Sequence, residues 1–274
     1  MLRQRLLTAL VLIPIIVGAV LYLDTAWFAI VFGLITALGA WEWSRLAGIQ
    51  SLPARIAYLF IGAALSGLCF VYRSYTGLQA VVGLAVGWWL LAAVLTVAVQ
   101  KQALRLPASR PLKAAIGLLV LVTAWFSLVL LREGGSHKGS LVLFLFVLIW
   151  LADSAAYFSG RRWGKTRLCS RISPGKTLEG VWGALFSAGL LALAYARVEN
   201  LPGIDTVIFT IICLITVLIS IIGDLLVSMM KRAENLKDSG HLLPGHGGIL
   251  DRIDSLTAAA PVFYAGFSLW DQWR

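Results

Sequence analysis

Long apolar runs separated by short polar segments dominate this sequence. A helix that crosses a bilayer needs about 20 predominantly apolar residues, and nine runs approach that length. They span residues 6–23, 26–43, 56–72, 78–99, 114–131, 140–159, 180–196, 206–227 and 256–270. The pattern therefore predicts an all-α, polytopic membrane protein with about nine transmembrane helices.

The composition excludes an ordinary soluble protein. Hydrophobic residues make up 59% of the 274 residues and charged residues only 13%, whereas a soluble domain carries about 25% charged residues. No polar stretch is long enough for a second domain, so we predict a single membrane-embedded domain over 1–274. Residues 1–113 contain only Asp24 and Glu42 as acidic groups. We therefore expect 1–113 to be structural and 114–274 to carry the catalytic helices and cytoplasmic loops.

The distribution of Lys and Arg predicts the orientation of the chain. If the nine spans alternate from a cytoplasmic N-terminus, 18 of the 23 Lys and Arg residues fall on the cytoplasmic side. This excess matches the positive-inside rule. Membrane orientation and attraction to anionic lipids thus account for the net charge of +10, and nucleic acid is not an expected partner. We expect a multi-pass protein of the cytoplasmic (inner) membrane.

The densest polar chemistry lies in segment 228–254, between the eighth and ninth spans. If the eighth helix continues, Asp224, Ser228 and Lys231 share one face. A polar stripe on a helix that leaves the membrane must face protein or water rather than lipid. The stripe therefore indicates a site on the cytoplasmic side, unless Asp224 is only a solvated helix end.

A Gly-rich turn and two carboxylates follow within the same segment. Glycines such as Gly247 and Gly248 let the backbone approach a ligand and direct N–H groups at phosphate oxygens. Asp251 and Asp254 are three residues apart, so a helix would place both on one face, where they can hold a divalent cation. The alternative is that Asp254 and Arg252 cap the helix or pair with each other.

Basic residues of the segment supply positive charge for substrate phosphates. They are Lys231, Arg232, Lys237 and Arg252. His246 is either a substrate contact or a hydrogen-bonded loop residue, because no second histidine stands at metal-ligand spacing. Carboxylates for a metal and cations for phosphate, together at a membrane surface, indicate phosphoryl chemistry on a lipid.

A second candidate group ends the sixth span. A carboxylate within an apolar span, such as Asp153, is expected to have a function and a cationic partner, although a structural pair with a loop arginine is the alternative. Small residues at Ala156 and Gly160 permit close helix packing. After the basic loop, Ser173 and Pro174 have the pattern of an N-cap and a first helical residue.

The Gly-Lys-Thr sequence at 175–177 invites comparison with a P-loop. That motif needs a further Gly at position 170, where this chain has Ser, and no strand is predicted before it. We therefore reject the P-loop and keep Lys176 and Thr177 as candidates for contacts with substrate phosphate. Anchoring to lipid headgroups is the alternative for this loop.

Segment 228–254 resembles the signature of the phosphatidate cytidylyltransferase (CDP-diglyceride synthetase) family. The signature residues are present at Ser228, Lys231, Arg232, Lys237, Asp238, Gly240, Pro244, His246, Gly247, Gly248, Asp251, Arg252 and Asp254. Segments 153–160 and 173–180 also resemble the family, whereas the first half of the chain matches only in hydropathy. A pattern of this length is far more specific than a lone Gly-rich loop.

The resemblance implies an enzyme that makes CDP-diacylglycerol and pyrophosphate from CTP and phosphatidic acid, with Mg²⁺ as cofactor. It also implies a multi-pass helical fold among membrane lipids and a homodimer. We expect Asp224 and Asp251 to take the main metal role, with Asp254 and Asp153 supporting them. The residues predicted to bind substrate are Ser228, Arg232, Lys237, His246, Gly247, Gly248, Lys176 and Thr177. Lys231 and Arg252 are the predicted catalytic cations.

Two other classes remain possible from the residues. A lipid kinase that uses CTP would need the same carboxylates and cations, but would direct attack at the γ-phosphorus. A secondary transporter should show repeated halves and a site at the membrane midplane. The polar residues of this chain instead cluster in one half and near one membrane surface, which argues against transport.

Overall fold

The structure, a computed structural model, describes residues 2–75, 77, 80–104, 109–134, 139–240, 242 and 247–273, with the backbone alone at 2–9, 11 and 12. This part of the chain contains nine helices and one two-stranded hairpin. The helices are α1 Leu2–Tyr22, α2 Thr25–Leu46, α3 Leu52–Val71, α4 Ala80–Gln100, α5 Arg110–Glu133, α6 Ser140–Trp163, α7 Leu178–Val198, α8 Gly203–Ala233 and α9 Leu250–Trp273. The strands are β1 Arg167–Cys169 and β2 Ser173–Thr177.

Each predicted apolar run corresponds to one helix, which confirms the all-α membrane fold. Within the described residues, seven helices, α2 to α8, are long and apolar enough to cross a membrane. Helix α1 contributes a shorter apolar helical stretch, Ile13–Tyr22. Helix α9 is not among the seven, and its first turns carry Asp251, Arg252 and Asp254. The described chain thus supports nine helices, of which seven meet the criteria for a span.

The predicted start of α7 at Ser173 and Pro174 is wrong. These residues lie in β2, which pairs antiparallel with β1, and the helix begins at Leu178. The Oγ1 atom of Thr177 accepts a hydrogen bond from the Gly180 N–H at 3.1 Å. Thr177 is therefore the N-cap that satisfies the first turn of the helix, and the preceding residues are left free to form the hairpin.

Helix α5 is the centre of the bundle. Every residue from Val120 to Arg132 is buried, and α5 packs against α2, α3, α4, α6 and α9. Large apolar side chains remain exposed on the outer helices, including Phe60 of α3 and Phe186 of α7. Because lipid tails are apolar, such side chains need no protein partner, and the helices associate through close packing instead.

Close packing of helix pairs sets the distances within the candidate site. A Cβ at Gly180 would lie 3.0 Å from the Ala156 carbonyl oxygen, so α7 and α6 approach closely there. The small residues Ala156 and Gly160 predict close helix packing at this point. A Cβ at Gly223 of α8 would lie 2.6 Å from the Asp254 carbonyl oxygen of α9. Only glycine allows these backbones to approach so closely.

The loops assigned to the side of the N-terminus meet at one end of the bundle. Gln100, at the end of α4, donates to the Ser170 hydroxyl at 3.2 Å. Lys113, near the start of α5, pairs with Glu234 just after α8. These contacts join loops that alternating spans place on a single side of the membrane.

Candidate active site

A cavity of about 630 Å³ opens at this end of the bundle. It lies between α6, the β1–β2 hairpin, α7, α8 and α9. Among the described residues, five aspartates line it: Asp153, Asp224, Asp238, Asp251 and Asp254. Five basic residues of the described chain line it as well: Arg161, Arg167, Lys176, Lys231 and Arg252. The fold therefore brings together, in one space, charged groups that are as far apart in sequence as Asp153 and Asp254.

Asp224 links helix α8 to strand β2. Its carboxylate oxygen Oδ2 lies 2.6 Å from Nζ of Lys176, which lies in β2 just before α7. One turn further along α8, the buried Ser228 donates to Oδ1 of Asp224 at 3.3 Å. Asp224, Ser228 and Lys231 thus lie on one face of α8, as predicted, and Lys176 contacts Asp224 from β2.

Asp251 is the most heavily hydrogen-bonded carboxylate of the cavity. Its Oδ1 lies 2.7 Å from Nζ of Lys231, and only 11% of each side chain is exposed. Its Oδ2 accepts from the Ser239 N–H at 3.0 Å and from the Gly248 N–H at 3.1 Å. The Ser239 hydroxyl also lies 3.0 Å from this oxygen, and Oδ2 shares the single hydroxyl proton with Oε2 of Glu42. Burial would raise the pKa of Asp251, but hydrogen bonds from Lys231 and from the Ser239 and Gly248 backbones outweigh burial and hold the pKa below its usual value.

Asp254 and Asp153 have fewer hydrogen bonds among the described residues than Asp251 has. Oδ1 of Asp254 accepts a hydrogen bond from the Ser255 N–H at 2.7 Å. Burial, and then the negative charge of Asp224, raises the pKa of Asp254 well above its usual value. Asp153 lines the cavity from α6. Carboxylates that repel one another in a common cavity favour a bound proton or a cation.

The four predicted metal ligands have the right chemistry for Mg²⁺. Within the described residues, no three Asp, Glu, His or Cys side chains form a group that could hold a metal alone. Mg²⁺ is nevertheless usually held by one or two carboxylates together with substrate phosphates and water. Oδ2 of Asp224 is paired with Lys176, but in the described part of the chain its Oδ1 has just the long contact with Ser228, at 3.3 Å. Asp224, Asp254 and Asp153 therefore fit such an ion, whereas both oxygens of Asp251 are engaged and it would first have to release Lys231.

The remaining predicted residues are divided between the cavity and its surroundings. Thr177 and Arg252 line the cavity. Arg232 and Lys237 are exposed and lie outside its lining, and Arg232 donates to the Leu236 carbonyl at 3.2 Å.

The turn before α9 holds the two predicted glycines. Gly247 has a φ of +82°, which suits glycine, and Gly248 is buried against Ser239 and Glu42. His246 lies outside the described residues. The proposed roles of these residues stay predictions.

Sequence reasoning missed residues that line the cavity and contacts that lie outside its lining. Arg161, Arg167 and Asp238 line the cavity although none was selected as a site residue. Glu42 binds the turn before α9, and the buried Lys113 pairs with Glu234. Glu42 and Lys113 both lie in residues 1–113, which were expected to be structural. The signal that could have identified Glu42 is its rarity, because it is one of two acidic residues before position 114.

Fold and site together define a class: a helical membrane protein whose cavity gathers acidic and basic groups at one end of the helix bundle. Comparison with known proteins narrows this class. The model of the cytidylyltransferase family matches residues 3–270. The chain belongs to this family and is a nucleotidyltransferase.

Two curated relatives agree with the family match along nearly the whole chain, and a third agrees over less than half of it. A phosphatidate cytidylyltransferase from Pseudomonas aeruginosa is 44% identical over 265 residues, which cover 97% of this chain and 96% of the relative. One from Haemophilus influenzae is 38% identical and covers 96% and 97%. One from Bacillus subtilis is 43% identical over 126 residues, or 45% of each chain. Family membership sets the transporter alternative aside.

Proposed function

We propose that this chain transfers the cytidylyl group of CTP to phosphatidic acid and releases pyrophosphate. The observation that carries the proposal is the cavity that holds five carboxylates and five basic groups at one end of the bundle. The names of the full-length relatives support the same reaction. A phosphate oxygen of phosphatidate would bond to the α-phosphorus of CTP as the bond from that phosphorus to the leaving pyrophosphate oxygen breaks.

The chemistry of the substrates explains the absence of an obvious general base from the proposed mechanism. A phosphate monoester carries a charge of about −1.5 to −2 near pH 7, so phosphatidate is already a nucleophile. The protein must instead bring two anions together, align them and stabilise the leaving group. Phosphoryl transfer of this kind depends mainly on positioning and electrostatics.

The basic groups of the cavity are suited to hold the phosphates. Lys176 and Lys231 are each placed by a carboxylate, at 2.6 and 2.7 Å respectively. Each pair fixes the direction of its ammonium group, and the ammonium can offer its other N–H donors to a substrate. Arg161, Arg167 and Arg252 surround the same space and can bind phosphate in the bidentate manner of a guanidinium.

We further propose Mg²⁺ as the cofactor, held by Asp224, Asp254 and Asp153, with Asp251 joining if Lys231 moves to a substrate phosphate. When bound, the ion would neutralise the repulsion between the two substrates. The raised pKa of Asp254 next to Asp224 supports a cation at this position. Homodimer formation remains a prediction of the family resemblance.

The cavity is proposed to face the cytoplasm. The loops with most of the Lys and Arg residues meet at the end of the bundle where the cavity opens, and the positive-inside rule assigns such loops to the cytoplasm. CTP would then reach the site from solution, while the lipid substrate would enter from the bilayer. We assign the protein to the inner membrane on the same basis.

Labelled CTP tests the reaction directly. Purified protein with phosphatidate and Mg²⁺ should move label from α-labelled CTP into lipid, and label from γ-labelled CTP should leave as pyrophosphate. The opposite pattern, with γ-label in the lipid, would establish the lipid kinase instead. Label in neither lipid nor pyrophosphate would refute both enzymatic proposals.

A further inference from the structure

Glu42 is a buried carboxylate far from the catalytic segment in sequence. It lies near the end of α2, and only 1% of the residue is exposed. It takes part in none of the ion pairs among the described residues. A carboxylate buried without a cation is costly unless hydrogen-bond donors replace water. The groups that donate hydrogen bonds to Glu42 therefore indicate which part of the structure it stabilises.

Among the described residues, the donors to Glu42 lie within the loop between α8 and α9 and at the first residue of α9. Oε1 of Glu42 accepts from the Ile249 N–H at 3.0 Å, and Oε2 accepts from the Leu250 N–H at 2.8 Å. Oε2 also accepts from the Ser239 hydroxyl at 2.8 Å. Since α9 begins at Leu250, Glu42 satisfies N–H groups that an isolated helix end leaves free, and its charge faces the positive end of the helix dipole.

The loop packs closely around this carboxylate. A Cβ on Gly240 would overlap Oε1 of Glu42, and a Cβ on Gly248 would overlap Oε2 as well as the Ser239 hydroxyl. Both glycines are buried. The absence of side chains there lets the loop wrap tightly around the carboxyl group, so the position of Glu42 fixes the position of the loop.

Ser239 connects this contact to the cavity. Its hydroxyl lies 2.8 Å from Oε2 of Glu42 and 3.0 Å from Oδ2 of Asp251. Its N–H donates to the same Asp251 oxygen at 3.0 Å. Asp251 lines the cavity, whereas Glu42 does not. Ser239 therefore connects Glu42 of α2 to Asp251 of the cavity.

We propose that Glu42 is a positioning residue for the transfer reaction: by holding Ser239 and the first N–H groups of α9, it sets the place of Asp251 and its partner Lys231 in the cavity. The inference rests on the proposed function. Glu42 touches no substrate in this arrangement and acts through the loop. A misplacement of about 1 Å in a reacting group can cost about 100-fold in rate, so a remote contact of this kind controls kcat.

The test compares Glu42→Gln with a matched carboxylate, Glu234→Gln, at the end of α8. Gln keeps the shape but turns an NH₂ group toward an N–H donor, so it cannot accept from both Ile249 and Leu250. We expect Glu42→Gln to lower kcat about 10- to 100-fold with KM for CTP nearly unchanged. Glu234→Gln loses its pair with Lys113 and should lower thermal stability while kcat per folded molecule stays at the wild-type value.

Ser239→Ala serves as the second variant if Glu42→Gln fails to fold. It removes only the shared hydroxyl and keeps the Ser239 N–H contact. A kcat about tenfold below wild type, with KM for CTP unchanged, supports positioning. Wild-type kcat in Ser239→Ala, or in folded Glu42→Gln, would overturn it. If the wild-type protein itself fails to label lipid from α-labelled CTP, the proposed function has failed, which is a separate outcome.

Discussion

Replacing Lys231 with Met tests the central ion pair of the cavity. The substitution removes the ammonium group but keeps a side chain of similar length in α8. Oδ1 of Asp251 loses the contact at 2.7 Å, while Oδ2 keeps its contacts with Ser239 and Gly248. The result is a nearly buried carboxylate without its charge partner.

The size of the effect follows from this burial. Breaking a buried ion pair by removing one partner costs about 3–5 kcal/mol. The retained donors on Asp251 favour the lower end of that range, so the free energy of unfolding should fall by about 3 kcal/mol. Activity should fall for a separate reason, because the cavity loses a cation that is proposed to bind substrate phosphate. A hydrogen bond to a charged group contributes about 1.5–3 kcal/mol, so we expect kcat/KM to fall about 10- to 100-fold.

The assay is transfer of label from α-labelled CTP into lipid by purified protein, with thermal unfolding measured in parallel. Lys101→Met is the matched control, because Lys101 is exposed on the same side and does not line the cavity. The double variant Lys231→Met with Asp251→Asn removes both charges and should regain thermal stability without regaining activity. Near-wild-type activity in Lys231→Met, or recovery of activity in the double variant, would refute the reasoning.

Two further predictions concern the metal site and the orientation. Asp251→Asn should abolish transfer, because the amide keeps the shape but loses the charge that places Lys231. The protein should still insert and fold, with lower thermal stability because the nearly buried Lys231 loses its ion pair. Asp205→Asn, at the other end of the bundle, should stay active, since Asn can still accept the hydrogen bond that Asp205 receives from Trp270 at 2.9 Å. Equal losses in the two variants would contradict the assignment. Reporter fusions at residue 165 should report the cytoplasm and fusions at residue 202 the opposite side, and the reverse result would deny CTP access to the cavity.

Local periodicity explains why much of the site could be predicted. Asp224, Ser228 and Lys231 lie on one helix, so their common face follows from 3.6 residues per turn. The same holds for Asp251 and Asp254 at the start of α9. Helices in a membrane satisfy their own backbone groups, and apolar length therefore predicted their number and order well.

Contacts between helices could not be predicted in the same way. The hydrogen bonds of Glu42 to Ile249 and Leu250 join residues 207 and 208 positions apart, and no local pattern encodes such a pair. The start of α7 was misplaced because Pro174 fits two roles, a first helical residue and a turn or edge position in a hairpin. The choice depends on the pairing of Arg167 with Thr177, which sequence spacing does not reveal.

The hydrogen bonds of Glu42 also have a consequence for biosynthesis. Glu42 enters the membrane with the second helix, but Leu250 is synthesised 208 residues later. At about 5–20 residues per second, that interval is about 10–40 s. Throughout it, the nascent bundle contains a carboxylate without its final donors, and the loop between α8 and α9 cannot form its contacts with Glu42. Assembly of a functional enzyme is thus completed only when the last helix docks, so a chain truncated after α8 would be inserted but inactive.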